Sequence, residues 1–321
     1  MSQHFLLTAA SRTLSLKAIY KAGETAAYDT FKSLRWASTN GEPVCPVCGC
    51  VECKPVKGRI TFRCTGCAKQ FSVTSGTLFH GRKLSYVDLM AAICLFINGA
   101  KGMSAVQFSR DMDVQYKTAF VLCHKLREAM ASEVAGHTLD GEVEIDGAYF
   151  GGIIRPANRK ENRVDRRKAE NQTGTRRVVI ALRQRQGRTL TLVRKSEAEG
   201  VELAETFAPK ATTFYADEAA HWDALHSSFK TLRINHSEAY SEFNGLHTNG
   251  VESFFSRLRR MVDGQHHGVS PKYLYQYASH AGWLEDHRRR ANGDNTKAIV
   301  SNSVHSPSSL VWSGYWQRTS A

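Results

Sequence analysis

His247-Thr248-Asn249-Gly250-Val251-Glu252-Ser253-Phe254-Phe255-Ser256-Arg257-Leu258-Arg259-Arg260 is the stretch from which the rest of the chain can be read. As a helix it carries two stripes. Val251, Phe255, Leu258 and Val262 recur at i, i+4, i+7 and i+11, the spacing of an apolar face turned to a core. Glu252, Ser256 and Arg259 repeat that spacing on a neighbouring face, with Asn249 one turn ahead of Glu252. A carboxylate at the edge of a buried helix, with an arginine two turns on, suits a cleft that binds metal and phosphate. Taken alone, such a helix reads as an ordinary amphipathic surface helix; two upstream aspartates change that.

Asp146 ends Val143-Glu144-Ile145-Asp146, a short alternating run that predicts a strand, followed by Gly147-Ala148-Tyr149-Phe150-Gly151-Gly152. Asp217 ends Thr212-Thr213-Phe214-Tyr215-Ala216-Asp217, a second β-branched and aromatic run. Two strands ending in Asp and a later helix carrying Glu form a set able to hold two hard divalent cations, since Mg²⁺ prefers carboxylate oxygens. Two such ions about 3.5–4 Å apart clamp the attacking and leaving oxygens of an in-line phosphoryl displacement.

Composition narrows the partner. At 321 residues the chain accommodates one catalytic domain and one or two small modules. A net charge of +13 and a pI near 9.4 point to a polyanion, either nucleic acid or an acidic membrane surface. No run of eighteen apolar residues is present, so no membrane span is expected. The first thirteen residues lack a basic start followed by an apolar core, so secretion is not expected and a cytoplasmic location is. Eight cysteines, six of them within residues 45–67, argue for metal in a reducing compartment rather than disulfides.

Cys45-Pro46-Val47-Cys48 and Cys64-Thr65-Gly66-Cys67 are two CxxC knuckles fifteen residues apart, a spacing that suits one tetrahedral Zn²⁺ on four thiolates. Lys57 to Arg63 alternates like a strand leading into the second knuckle. Cys50 and Cys53 form a third CxxC, but the outer pairs flank that strand symmetrically. Cys45, Cys48, Cys64 and Cys67 are therefore the expected ligands, in a structural site, because four thiolates leave no open position.

Residues 85–98 carry Tyr86, Leu89, Met90, Ile93 and Ile97 at helical spacing, with Ser85 as N-cap. Ser104 caps a short helix to Arg110, Asp111-Met112-Asp113 makes a turn, and a longer helix follows with Ala119, Cys123, Leu126 and Met130 on one face. Short helix, turn, helix is the outline of a helix-turn-helix, whose second helix enters a major groove; an ordinary helical pair is the plainer reading. Gln115, Lys117 and Thr118 are the expected base contacts.

From about 140 the order predicts strand, polar insert, two strands (178–182 and 188–193), helix (202–207), strand, helix (219–229), strand (231–235) and helix, a mixed sheet flanked by helices. Residues 153–177 contain nine Lys or Arg against three acids. That insert is either solvated or a phosphate-contacting arm, with Arg166, Arg167 and Lys168 the residues to test. His236, His247, His266 and His267 show no ligand spacing and are expected as polar contacts near the site. Beyond Asn292 the chain is expected to be a loose tail, apart from Trp312–Trp316.

From about residue 40 to 292 these stretches together resemble the DDE transposases of bacterial insertion sequences, of the type with an N-terminal zinc ribbon. The matching runs also include Phe71-Ser72-Val73-Thr74-Ser75-Gly76-Thr77, Lys101-Gly102-Met103-Ser104-Ala105, Tyr149-Phe150-Gly151-Gly152, Ala216-Asp217-Glu218-Ala219, Val269-Ser270-Pro271-Lys272-Tyr273-Leu274 and Asp286-His287-Arg288-Arg289. The resemblance implies a ribonuclease H-like catalytic domain over 140–292. Before it stand an N-terminal helical or linker segment (1–40), the zinc ribbon (41–76) and the helix-turn-helix-like segment (77–135); a tail (293–321) follows.

It implies binding of inverted-repeat ends and cleavage and strand transfer of double-stranded DNA, element ends and target alike, by a homo-oligomer on DNA. Two Mg²⁺ (or Mn²⁺) ions would sit on Asp146, Asp217 and Glu252, with Arg259 near the reacting phosphate. Asn249 would be an additional ligand or water-positioning group. One position departs from the family: a second carboxylate commonly follows the first catalytic Asp, and here Gly147 stands there. A DNA-binding regulator with an inactive catalytic fold, or a structure-specific nuclease, would share these features in part.

Overall fold

In this computed structural model the described residues are 4–152, 156–165, 168–171, 174–234 and 247–318. In chain order the elements are α1 (Leu16–Arg35), β1 (Cys53–Pro55), β2 (Phe62–Cys64), β3 (Gln70–Phe71), α2 (Tyr86–Asn98), α3 (Ala105–Asp111) and α4 (Tyr116–Val134). Then follow β4 (Glu142–Phe150), β5 (Arg177–Gln184), β6 (Thr189–Arg194), α5 (Glu199–Phe207), β7 (Thr213–Asp217), β8 (Lys230–Ile234), α6 (Asn249–Arg259), α7 (Leu274–Asp286) and α8 (Asn292–His305). The chain divides into two units, Met1–Glu133 with His287–Ala321, and Val134–Asp286.

The first unit joins a ribbon to a helical cluster. Strands β1, β2 and β3 pair antiparallel in that order, with Cys53 opposite Cys64 and Phe62 opposite Phe71. Its small core is aromatic, the buried Trp36 ring lying 5.5 Å from Phe62 and 6.3 Å from Phe71. The strand expected from Lys57 begins only at Phe62, because the Val56 N–H donates to the Thr61 carbonyl and closes a turn over the intervening residues.

Ser85 and Ser104 cap α2 and α3 as their positions predict, accepting from the N–H groups of Asp88 and Gln107. The Glu24 carboxylate accepts two further bonds at the N-terminal end of α2, from the N–H groups of Tyr86 and Val87. On α4, Ala119, Cys123, Leu126 and Met130 are all fully buried, while Gln115, Lys117 and Thr118 at its start are exposed.

The loose tail expected beyond Asn292 is not what the structure has. Residues 292–305 form α8, packed on α1 and α2 with Ile299 and Val300 fully buried. The Asn292 side chain ties its start to the N-terminal segment, accepting from the N–H groups of Thr13 and Leu14. Asn and Ser dominate this helix, so its short apolar face was masked by composition. Trp312 is buried as well, its ring stacked 4.1 Å from that of His124.

The second unit is the mixed α/β layer that the element order predicts. Its sheet runs β6-β5-β4-β7-β8, antiparallel across β6, β5 and β4 and parallel across β4, β7 and β8. Strand residues alternate between two faces. Val143, Ile145, Phe214 and Ala216 face a core completed by Leu203 and Ala204 of α5 and by Trp222 and Leu225. The intervening residues face α6, where Val251, Phe255 and Leu258 are buried as their spacing requires, together with Phe254; Val262 is buried too, but in the π-helical turn Arg260–Gln265 that follows α6.

Two elements differ from expectation. Strand β4 does not stop at Asp146 but runs to Phe150, because β5 pairs with it from Val143↔Gln184 to Phe150↔Arg177. Residues 220–227 wind as a 3-10 helix rather than an α-helix.

Candidate active site

The parallel ladder between β4 and β7 pairs Glu142 with Thr213, Val143 with Phe214 and Glu144 with Tyr215, and ends there. Two residues further along each strand, on the same face, come Asp146 and Asp217. Both therefore lie just past the last pair, at the carboxyl ends of neighbouring parallel strands, where open α/β sheets form their ligand crevices. Asp146 accepts the Gly147 N–H at 2.7 Å, and Asp217 accepts the Ala219 N–H at 3.1 Å.

Burial pushes the Asp146 carboxyl up to about 7, with Asp217 and Glu197 adding to the rise, against the Gly147 N–H and the Arg259 guanidinium. Asp217, Glu197 and Arg259 are thus all within electrostatic reach of Asp146. In the protein holding zinc but no Mg²⁺, a proton that the unfolded chain releases near pH 4 stays on native Asp146 until about pH 7. Native protein then binds more protons than unfolded protein across that window, so stability falls as pH rises, by a few kcal/mol at pH 8. Asp146→Asn should remove that dependence. Urea denaturation at pH 5 and pH 8 checks this; equal pH slopes in parent and variant would contradict it.

Glu252 sits half-buried in the first turn of α6, its Oε1 accepting from the buried Thr248 hydroxyl at 2.9 Å. Arg259, two turns on, is exposed with its guanidinium 5.9 Å from the Phe255 ring centre, and Asn249 is exposed at the helix start. The end of α6 that carries Glu252 is docked by Glu144, a fully buried carboxylate two residues before Asp146. Glu144 Oε2 accepts the Val251 N–H at 2.8 Å, and its Oε1 lies 3.1 Å from Arg185 Nε and 3.3 Å from His247 Nδ1. Arg185 in turn donates to the His247 carbonyl at 2.7 Å and stacks 3.7 Å from the Tyr215 ring centre. A Cβ on Gly250 would stand 2.7 Å from Glu144 Oε2, so only glycine lets the helix end come this close.

Arg233 of β8 braces the other aspartate. It donates to the backbone carbonyls of Asp217 and Ala219 and pairs with Asp223 at 2.8 Å, fixing the turn that follows Asp217. Away from this end, Arg183 pairs with Glu285 and Asp286, and Arg257 with the same buried Glu285 at 2.8 Å, tying α7 to the sheet and to α6.

Glu144, Arg185, Arg233 and Glu197 escaped the sequence reading. Only Glu144 left a signal there, as a charged residue sharing the strand face of Asp146 between two buried apolar neighbours. Among the histidines, His247 contacts Glu144, His266 packs edge-on to Tyr277 at 4.7 Å, and His236 lies outside the described residues. In the basic insert Arg166 and Arg167 lie outside the described residues, and Lys168 is exposed beside Glu170 at 3.7 Å.

The donor set suits hard divalent cations. Asp146, Asp217 and Glu252 offer carboxylate oxygens only, and a buried carboxyl held near 7 beside another acid is a site that a bound cation relieves.

The ribbon offers soft donors instead. Cys45 Sγ is 3.6 Å from Cys67 Sγ, and Cys48 Sγ is 3.5 Å from Cys64 Sγ. All four sulfurs fall within 4.8 Å of one another, the one such grouping of three or more His, Cys, Asp or Glu among the described residues. Zn–S bonds of about 2.3 Å give a tetrahedron with edges of about 3.8 Å, close to those separations. Cys50 and Cys53 turn instead to the carbonyls of Glu52 and Cys50. The Cys50→Ser, Cys53→Ser double variant is therefore expected to keep one zinc per chain and Cys48→Ser to lose it; metal analysis showing the reverse would reassign the ligands.

Among the described residues no helix is long and apolar enough to cross a membrane. The model of the ISXO2-like transposase domain matches residues 138–286, nearly the whole second unit, and that of the transposase zinc-ribbon domain matches residues 22–70. No curated protein matches the chain. The ribbon, the mixed ribonuclease H-like layer and both domain matches occur in one chain and in one order. The chain belongs to the zinc-ribbon-bearing, ISXO2-like DDE transposases of bacterial insertion sequences, enzymes of phosphoryl transfer that bind, cut and join DNA.

Proposed function

We propose that Asp146, Asp217 and Glu252 are the carboxylates of this transposase and that they hold two Mg²⁺ (or Mn²⁺) ions. The observation that carries this reading is Asp146, a buried acid held near 7 beside Asp217 at the splayed ends of two parallel strands. Bound there, the cations supply positive charge to the attacking and leaving oxygens of an in-line displacement.

The chain's own groups do the rest. Glu144 and Gly250 hold the start of α6 against β4, which keeps Glu252 on the side of Asp146. Thr248 fixes the rotamer of Glu252, and Arg233 fixes the backbone of Asp217. Arg259 offsets charge on a phosphate oxygen next to the reacting one, and Asn249 presents an amide to orient the attacking water.

DNA recognition divides between the units. In the first, the ribbon (41–76) and helical segment (77–135) read the element ends, with the exposed Gln115, Lys117 and Thr118 at the start of α4 as base contacts. In the second (140–292), Lys168 with Arg166 and Arg167 contacts phosphates. A cleft lined by Tyr149, Arg176, Arg177 and Lys195 offers the same chemistry. We place the protein in the bacterial cytoplasm, working as a homo-oligomer, since joining both ends of one element to a target calls for more than one catalytic centre.

Incubation of labelled element ends with a plasmid target and Mg²⁺ tests this. Joined product is expected. Cut ends without joining would make the protein a nuclease, and binding without cutting a regulator.

A further inference from the structure

The first unit holds a cavity of about 250 Å³ between the loop before α2, one face of α4 and the C-terminal residues 312–317. Four cations line it, Arg82, Lys83, Lys117 and Lys125, and no Asp or Glu is among the lining residues. Neither Lys83 nor Lys125 has a hydrogen-bond or ion-pair partner among the described residues. Burial pushes the Lys125 ammonium down, with Glu128 opposing. The C-terminal wall is aromatic. Gly314, at φ 68°, turns the chain after the buried Trp312 and brings Tyr315 and Trp316 to the rim, a turn that Arg318 closes by donating to the Ser313 carbonyl at 2.7 Å. Trp316 stays 45% exposed although it is held edge-on to Tyr315 at 5.2 Å and lies 5.7 Å from the Phe120 ring.

We infer that this cavity binds one unpaired nucleotide of a DNA strand, its base stacked on Trp316 and its phosphate held by Lys117 and Lys125. The inference rests on the reading that the first unit binds DNA, and adds a single-stranded contact to the duplex contacts proposed there. The Lys117 ammonium stands 5.5 Å from the centre of the Trp316 ring. A base entering over that ring takes this place and leaves the ammonium to its phosphate.

Two features select a nucleotide over a bare anion and a single strand over a duplex. Cations alone would suit any phosphate, but a rigidly held, exposed ring beside them is a stacking platform, the pairing of groups by which proteins hold single strands. A paired base offers only its edge in a groove, whereas the ring face and a concave site of this size call for a base out of its stack. Lysines gathered without acids repel one another, and a phosphate relieves that repulsion. An enzyme that cuts and joins strands meets unpaired nucleotides at the ends it makes.

The test uses the full-length, zinc-loaded protein without Mg²⁺ and three probes: an oligothymidine strand, a blunt hairpin duplex and the free mononucleotide dTMP. Trp316→Ala should weaken the single strand about tenfold and the hairpin much less, with Trp316→Phe recovering part of the loss. Lys125→Gln should flatten the salt dependence of single-strand binding by about 0.7 in log K against log salt, one phosphate contact. Irradiation of a strand carrying 5-iododeoxyuridine should cross-link it to the peptide that holds Tyr315 and Trp316. Cross-links only elsewhere, equal losses for strand and hairpin, or dTMP binding as tightly as the strand would each overturn the inference. Gln115→Ala separates it from the reading beneath it. If Gln115→Ala weakens the hairpin while Trp316→Ala and Lys125→Gln bind the single strand as the parent does, the pocket is overturned and duplex reading by α4 stands. If none of the three variants changes binding of either DNA, the first unit does not bind DNA as proposed and the pocket falls with it.

Discussion

Asp217→Ala protein is expected to bind element-end DNA at least as tightly as the parent and to cleave it on the order of 10⁴-fold more slowly. Binding should hold because the proposed base contacts on α4 lie in the other unit, and removing a negative charge beside a phosphate does not repel DNA. Cleavage should collapse because the carboxylates act as a set: without one, the remaining two cannot position both reacting oxygens. Asp146→Ala and Glu252→Ala should lose as much, and a double variant little more than a single one, the pattern of groups that work as a unit. A gel assay with end-labelled DNA reads both quantities. Cleavage by Asp217→Ala within tenfold of the parent would remove this residue from the centre.

How much of this was legible in the chain depends on the kind of signal each part leaves. The stripe that begins on α6 was legible because one helix face repeats every three to four residues, and its four apolar positions are buried, Val262 in the π-helical turn after the helix. Ser85 and Ser104 announced their helices through cap chemistry that is local in sequence. The four cysteines that cluster in the ribbon stood out by spacing, and Cys50 and Cys53 lie outside that cluster, where the symmetry of the outer pairs about the strand had left them. The end of β4 was misjudged because Gly147 and Gly151-Gly152 look like a turn, whereas pairing with β5 carries the strand on through Gly147 to Phe150. Helix α8 went unseen because its burial comes from α1 and α2, nearly two hundred residues or more upstream, and Asn and Ser hide a face of three aliphatic residues. Arg185 and Arg233 left no trace at all. An arginine in a strand, as Arg233, or in the turn after one, as Arg185, acquires its role only when the topology brings the turn after Asp217 or Glu144 to it.

Glu144→Ala should be the most destabilising single change in the second unit, by about 3–5 kcal/mol, the range for removing one member of a buried ion pair. Three groups lose a contact at once: the Arg185 guanidinium, which keeps the His247 carbonyl and Glu142, the His247 ring and the Val251 N–H at the start of α6. Gly250→Ala attacks the same contact from the helix side, since its methyl would meet Glu144 Oε2 at 2.7 Å, a carboxylate held too firmly to retreat. It should cost less than Glu144→Ala, because charge pairing survives a small displacement of the helix, yet it should slow cleavage because Glu252 moves with that helix. Glu144→Met combined with Arg185→Met should recover much of the stability, as replacing both members of a buried pair by apolar groups often does. It should not recover all of it: the Val251 N–H still lacks its acceptor, a deficit of about 1–3 kcal/mol. Urea denaturation of the zinc-loaded protein measures the series. Glu144→Ala falling within 1 kcal/mol of the parent, or the paired variant matching the parent fully, would show that Glu144 does not hold the Glu252 helix to the strand of Asp146.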